Sequence, residues 1–352
     1  MMHRSVKTIL IAGAFSIAAS PCMATRPFVI PVSESNVTVD RLPQPVVHTD
    51  KVTVFTDITY STIPGFRPLK LDLYVPHSKG PRPLVVFVHG GGWTTGTKRT
   101  TANFADFPGV LQELANRGFT VASVDYRLSS EAPFPAALQD IKASIRFLRA
   151  NAIRFGIDRN HVAVWGASAG AHLSALTALT SGEPTLEPAD KSNPGQSDSV
   201  QAFVGWYGPY DIAKMLQKVQ SDTAASGGPM SPEAKTETEG ALAFFGCTMQ
   251  GCPPGVLASA SPITHVDKND PPTLLIHGTA DTSVPSSQSE ELYNRLKASG
   301  VRVDLLLIDG VGHSWIGKNQ PSTEAASRKA LVATFDWLEK TFRKEIHRSA
   351  GH

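Results

Sequence analysis

The chain has 352 residues, of which 41% are hydrophobic and 18% are charged, a composition typical of globular proteins. This length exceeds what one hydrophobic core usually needs, but it is too short for two full catalytic domains. We therefore expect one domain that carries an additional inserted segment. The 33 basic and 31 acidic residues give a formal net charge of +2. Such a balance provides no global field that would attract nucleic acid or an anionic membrane.

The N-terminus has the pattern of a secretory signal peptide. Arg4 and Lys7 provide a basic start, and residues 8–20 form an uncharged, largely apolar run that is short for a membrane span. Small residues then predict cleavage after Ala24, so that residues 1–24 are removed and the protein is exported to the periplasm or the extracellular space. An N-terminal anchor that stays attached is the alternative. Cleavage also removes two basic residues, which leaves the mature chain without formal net charge.

Eight short segments rich in apolar residues predict the strands of one sheet. The first two form a leading pair, and the other six are mostly apolar, as expected for strands that are buried on both faces. Helical periodicity lies between them, for example in Leu138, Ile141, Ile145 and Leu148. This alternation predicts an α/β fold, with a mainly parallel eight-stranded sheet and helices on both faces. The predicted strands are residues 52–60, 69–76, 84–90, 120–126, 161–168, 200–208, 272–279 and 303–310.

The alternation stops in residues 209–262, where no clear strand occurs and glycine and proline are frequent. We interpret this segment as a small cap or lid, inserted between two strands of a domain that spans residues 25–352. It contains Cys247 and Cys252. Zinc needs more ligands than these two residues, so we expect no metal site. An oxidising compartment favours a disulfide between them, with two free thiols as the alternative.

The segment Gly166-Ala167-Ser168-Ala169-Gly170 has the pattern G-x-S-x-G, at the end of a predicted strand and the beginning of a helical stretch. This context is that of a nucleophile elbow, a sharp turn that exposes a serine hydroxyl at the carboxyl edge of the sheet. The two glycines allow the turn, because a side chain at either position would collide with neighbouring backbone. We therefore predict that Ser168 is the nucleophile of a serine hydrolase.

A second glycine-rich segment, HGGGW at residues 89–93, follows the predicted strand at residues 84–90. Glycines leave backbone N–H groups unobstructed, and acyl transfer needs such donors because negative charge develops on the carbonyl oxygen. We predict that the N–H groups of Gly91, Gly92 and Ala169 form an oxyanion hole. Two tryptophans near these motifs are candidate walls of a substrate pocket, with core packing as an equal alternative: Trp93 and Trp315.

A serine nucleophile needs a histidine base and an acid that orients the histidine. In hydrolase sheets the chain order is serine, acid, histidine, each on a loop that follows a strand. His313 follows the last predicted strand and Asp281 follows the strand before, so we predict these residues as base and acid. Asp309 is the closest rival acid, but it ends the strand that leads into the loop of His313. Structural roles are expected for His89 and His277, and His172 lies on the helical stretch after Ser168, where it fits the role of base less well.

Together these motifs resemble the esterases with an HGGGW oxyanion loop. This loop is found in two groups of enzymes: the bacterial acetylxylan- and feruloyl-esterase-like (BD-FAE-like) hydrolases and the hormone-sensitive-lipase-like carboxylesterases. The resemblance covers about residues 65–340 and includes HGGGW, GASAG, LLIHGTAD and GHSW. Ala167 stands where the lipase-like branch usually has aspartate, which favours the acetylxylan/feruloyl branch. The resemblance implies the α/β-hydrolase fold and catalysis without a metal or organic cofactor.

The motifs therefore predict a hydrolase of carboxylic esters with short acyl groups on sugars, phenolics or small alcohols. We expect a small-molecule or carbohydrate-linked ester as the substrate, and neither nucleic-acid binding nor stable membrane insertion after cleavage. An amidase, arylformamidase or peptidase with the same triad is the alternative enzyme. A non-catalytic binding protein is less well supported, because such proteins usually lose a triad member, whereas Ser168, Asp281 and His313 are all present.

Overall fold

The computed structural model describes five stretches of the chain: residues 47–48, 51–188, 193–225, 232–248 and 251–343. The predicted signal peptide, residues 1–24, lies outside these described residues. In the described part of the chain, no helix has the length and apolar character needed to cross a membrane.

Within these residues, nine strands form one sheet, which confirms the eight predicted strands and adds a strand of two residues at the edge. Six neighbouring strands pair in parallel, and the first three strands of the chain pair antiparallel. Their order in space is β1-β2-β3-β5-β4-β6-β7-β8-β9. In chain order they are β1 (Val47–His48), β2 (Val52–Ser61), β3 (Leu69–Pro76), β4 (Arg82–Val88), β5 (Thr120–Val124), β6 (Ile157–Ala167), β7 (Ala202–Trp206), β8 (Thr273–Gly278) and β9 (Val303–Ile308).

Helices cover both faces of the sheet, and each face has its own hydrophobic cluster. Along β4, Leu84, Val86 and Val88 enter one cluster, whereas Val85 and Phe87 enter the other, because successive side chains of a strand point to opposite faces. The described α-helices are α1 (Phe107–Asn116), α2 (Ala136–Ala150), α3 (Ala152–Phe155), α4 (Ala169–Leu179), α5 (Ile212–Ala225), α6 (Pro232–Phe244), α7 (Val256–Ser259), α8 (Ser287–Ala298) and α9 (Gln320–Thr341).

The insertion predicted at residues 209–262 contains α5, α6 and α7, between β7 and β8. The end of α6 is anchored in the core, since Phe244 and Phe245 are only 0% and 2% exposed. The backbone N–H of Phe134 donates to the carbonyl oxygen of Phe244 at 2.6 Å. Just beyond the helix, Cys247 and Cys252 form the expected disulfide. These contacts fix one end of the insertion against the carboxyl edge of the sheet.

Candidate active site

Ser168 lies in the tight turn between β6 and α4, with φ +55° and ψ −123°. A positive φ is rare for a residue with a side chain, and it turns the hydroxyl away from both flanking elements. A Cβ on Gly166 would collide with the carbonyl oxygen of Gly170, and a Cβ on Gly170 would collide with that of Val88. Both glycines of the elbow therefore have the steric role that the sequence predicts.

The structure brings together the three predicted triad residues from three different loops. Nε2 of His313 lies 3.0 Å from Oγ of Ser168, and Nδ1 of His313 lies 2.7 Å from Oδ2 of Asp281. With Nδ1–H donating to the carboxylate, Nε2 is free to accept the serine proton. The rival acid, Asp309, instead accepts a hydrogen bond from the hydroxyl of Thr279. Geometry therefore favours Asp281 as the partner of His313.

The Asp281 carboxylate is held at both oxygens. Oδ1 accepts the backbone N–H groups of Ser283 at 3.0 Å and Val284 at 2.9 Å. Burial by itself raises the pKa of Asp281, but hydrogen bonds from His277 and His313 outweigh it and hold the pKa well below its usual range. The carboxylate thus stays ionised and can stabilise a positive charge on His313.

His277 is a satisfied core residue, as expected, yet it also contacts the triad. Its Nδ1 accepts from the hydroxyl of Ser289 at 2.7 Å, and its Nε2 donates to the carbonyl oxygen of Val284 at 2.8 Å. The same Nε2 lies 3.3 Å from Oδ2 of Asp281. The contact between His277 and Asp281 could have been inferred from the motif HGTAD. In this motif the histidine lies near the end of β8, four residues before the aspartate.

The three predicted oxyanion-hole donors lie beside the elbow. Gly91 has φ +107° and Gly92 has φ +59°, and in the described part of the chain their backbone N–H groups donate to no other backbone group. Ala169 is the first residue of α4, so its N–H has no acceptor within the helix. A Cβ on Gly90 would lie 3.2 Å from Cβ of Ser168, which shows how closely this loop approaches the serine.

His89 supports this loop, as its position in the motif suggests. Its Nδ1 lies 2.7 Å from the carbonyl oxygen of Gly90, and its ring stacks on Tyr126 with centroids 4.3 Å apart. The hydroxyl of Tyr126 donates to the carbonyl oxygen of His89 at 3.0 Å. Burial lowers the pKa of His89 to about 4, so this ring is neutral at neutral pH.

The two tryptophans pack in the core, which favours core packing, the second of the two alternatives that the sequence left open. Trp315 is 0% exposed, and its ring lies 5.4 Å from that of Trp206 and 4.6 Å from that of Tyr207. Trp93 is 8% exposed and stacks on Phe244 at 5.2 Å. Their small exposed surface indicates that both side chains act mainly in packing.

Tyr207 is a residue of the site that sequence reasoning missed. It directly follows β7, has φ +39°, and its ring centroid lies 4.7 Å from that of His313. Burial raises the pKa of its hydroxyl well above the usual range, so the ring stays neutral. The Tyr207 ring therefore packs against the His313 ring and restricts its orientation.

Within the described residues, no three His, Cys, Asp or Glu side chains are grouped so that they could hold a metal ion.

Comparison with known proteins shows related sequences and folds. The family model described as BD-FAE matches residues 71–296. Esterase LipC of Mycobacterium tuberculosis is 36% identical over 67% of this chain and 53% of its own length. Isoprenylcysteine alpha-carbonyl methylesterase ICME of Arabidopsis thaliana is 31% identical over 70% of this chain and 53% of its own length. This chain therefore spans about half the length of the curated relatives it matches.

The solved structure of a truncated form of a carbohydrate esterase from gut microbiota is similar over 85% of this chain and 99% of that chain. The two are 26% identical, with a TM-score of 0.65. The fold expected from the sequence is thus shared with an esterase along most of both chains.

Proposed function

This chain belongs to the BD-FAE family, and we propose that it hydrolyses carboxylic esters with Ser168 as its nucleophile. One observation carries the proposal. His313 is within hydrogen-bond distance of Ser168 on one side and of Asp281 on the other. This is the geometry that converts a weakly nucleophilic hydroxyl into an attacking group. The names of the relatives, esterases in each case described above, support the same reaction class.

In the first half of the reaction, Oγ of Ser168 attacks the ester carbonyl carbon while its proton passes to Nε2 of His313. The negative charge that develops on the carbonyl oxygen is stabilised by the N–H groups of Gly91, Gly92 and Ala169. Each such donor typically contributes about 3 kcal/mol to the lowering of the barrier. His313 then protonates the leaving alcohol, and the acyl group remains on the serine.

In the second half, a water molecule gives its proton to Nε2 of His313 and attacks the acyl carbon. The tetrahedral intermediate collapses, the carboxylic acid leaves, and the proton returns from His313 to Oγ of Ser168. Throughout the cycle the ionised Asp281 accepts Nδ1–H and stabilises the imidazolium form of His313.

We propose that the acyl groups are short and that the alcohol is a sugar, a phenolic or a small alcohol. The end of α6 supports this, because three of its large apolar side chains, Leu242, Phe244 and Phe245, are buried and cannot form a mobile apolar surface. A lipase lid instead presents a broad apolar surface that opens onto lipid. The related carbohydrate esterase structure supports a sugar-borne ester.

Export is part of the proposal. The signal pattern of residues 1–24 and the disulfide between Cys247 and Cys252 both suit an oxidising compartment. Mass spectrometry of the secreted protein tests it, and the expected first residue is Thr25. A mature protein that begins at Met1 and stays with the membrane would instead indicate an attached anchor.

Two assays test the reaction class. A fluorophosphonate probe should label the protein, which separates an enzyme from a binding protein on the same scaffold. Hydrolysis of matched aryl esters and anilides should favour the esters strongly, whereas faster anilide cleavage would indicate an amidase or peptidase. Acetylated xylan and methyl ferulate, tested beside small aryl esters, then distinguish the proposed alcohol classes.

A further inference from the structure

Trp93, which directly follows the oxyanion residue Gly92, has a strained backbone. Its φ of +61° lies in the left-handed region, which is unfavourable for a residue with a large side chain. Such a conformation persists only when surrounding contacts hold it. The carbonyl oxygen of Trp93 accepts the N–H of Ser129 at 2.9 Å, and its ring stacks on Phe244. A third contact fixes the outer edge of the indole.

That third contact is a buried hydrogen bond from Nε1 of Trp93 to Nδ1 of His172, at 3.2 Å. The indole N–H can only donate, so Nδ1 of His172 must accept and its proton must lie on Nε2. Nε2 in turn donates to the carbonyl oxygen of Ala260 at 2.7 Å. Both ring nitrogens are therefore committed in one tautomer, and His172 is 0% exposed.

His172 is also tied to the nucleophile. It lies on α4, and its backbone N–H donates to the carbonyl oxygen of Ser168 at 3.1 Å. The imidazole thus connects a fixed point on the helix behind the serine to the end of the glycine-rich loop. Since Gly92 is covalently joined to Trp93, rotation of the indole would displace the oxyanion donors relative to Ser168. Transition-state hydrogen bonds are lost when donors shift by about 1 Å.

We propose that His172 is a positioning residue: through Trp93 it holds the N–H groups of Gly91 and Gly92 at the distance that the tetrahedral intermediate requires. The inference rests on the proposed ester hydrolysis and deepens it. His172 touches no reacting atom, so its loss should lower kcat and leave KM nearly unchanged, because the displaced donors act mainly on the transition state.

Two substitutions separate the two hydrogen bonds of His172. Asparagine can place its Oδ1 near the position of Nδ1 and accept from Trp93, whereas glutamine extends toward Ala260 and leaves the indole N–H without its acceptor. We expect His172→Gln to lower kcat for an aryl acetate about tenfold to a hundredfold, less than the loss of a whole oxyanion donor. His172→Asn should recover most of this loss. KM should change less than about twofold in both variants.

His265 provides a matched control, because it too donates to a backbone carbonyl oxygen near Ala260. Nε2 of His265 donates to the carbonyl oxygen of Ser259, the residue next to Ala260, at 2.9 Å, and this ring has no contact with Trp93. His265→Gln should therefore keep the wild-type kcat. Trp93→Phe provides a second test, because it keeps an aromatic ring on Phe244 but removes the N–H donor. It should lower kcat as His172→Gln does, and the double variant should show no further loss.

Equal losses in His172→Asn and His172→Gln, a change in KM instead of kcat, or an unaffected Trp93→Phe would each overturn the inference. If His172→Gln does not fold, Trp93→Phe alone decides. These outcomes are distinct from failure of the proposed function, in which wild-type protein would neither react with a fluorophosphonate probe nor cleave any ester.

Discussion

Replacement of Asp281 by asparagine should inactivate the protein by reversing the tautomer of His313. The side chain of Asp281 is fully buried, and Oδ1 faces the backbone N–H groups of Ser283 and Val284. An asparagine must place its carbonyl oxygen on these two donors, because its NH₂ group would oppose them. The NH₂ group then faces Nδ1 of His313, which must accept and so lose its proton.

With its proton on Nε2, His313 can no longer accept the proton of Ser168. The NH₂ group would also face Nε2–H of His277, which is fixed by its bond to Val284. We expect kcat for p-nitrophenyl acetate to fall about ten-thousand-fold, equivalent to roughly 5 kcal/mol of barrier. The fold should persist, since both backbone hydrogen bonds to the side chain are kept, and circular dichroism checks this.

The control is Asp309→Asn, in the neighbouring loop. Asp309 accepts from Thr279 and has no contact with His313, so this variant should retain most of its activity. A folded Asp281→Asn that loses less than tenfold, or a larger loss in Asp309→Asn, would refute the assignment of the acid.

Three further predictions concern the insertion and the stability of the fold. A non-reduced digest should contain the Cys247–Cys252 peptide pair, and Cys247→Ser should lower the unfolding free energy by about 2 kcal/mol; two free thiols in exported protein would contradict this. Across a p-nitrophenyl ester series, kcat/KM should peak between acetyl and butyryl and fall steeply by octanoyl, since each methylene outside the pocket loses about 0.8 kcal/mol of burial; a rise toward decanoate, or activation above the solubility limit of tributyrin, would show a true lipase lid. Burial raises the pKa of Asp270 to about 7 in the folded protein, so the fold loses stability as the pH rises from about 4 to about 7; the loss is complete above pH 7 and absent below pH 4. Asp270→Asn should therefore add about 1–2 kcal/mol of unfolding free energy at pH 8 and nothing at pH 4, and an equal change at both values would exclude this cause.

The strands and the triad could be predicted because both depend on local pattern and chain order. Buried parallel strands need apolar runs, so β4 to β9 are visible in the sequence. Ser168, Asp281 and His313 each follow a strand, and this order is enough to select one acid and one base among many candidates. The sharp backbone turns of GASAG and HGGGW were also predictable, because glycine adopts conformations that other residues disfavour.

What could not be predicted depends on side chains that are distant in sequence. Trp93 is buried because Phe244 covers it, more than a hundred positions later. The contacts of His172 with Trp93 and Ala260 arise in the same way. Helix α6 of the insertion was missed because it begins with a polar stretch, and its large apolar residues lie only near its end. Tyr207 was missed because nothing in its local sequence indicates a positive φ.

The most direct test of the central claim is the turnover of Ser168→Ala beside that of Ser174→Ala. Ser174 lies on α4, the helix that begins directly after Ser168, and its hydroxyl is buried without a hydrogen-bond partner in the described part of the chain, so its loss should be tolerated. We predict that purified, folded Ser168→Ala loses ester hydrolysis on the order of a million-fold and is not labelled by a fluorophosphonate probe, whereas Ser174→Ala behaves as wild type. If Ser168→Ala kept even about a tenth of the activity, a loss far below that expected for a nucleophile, Ser168 would not be the nucleophile and the proposed triad would be wrong.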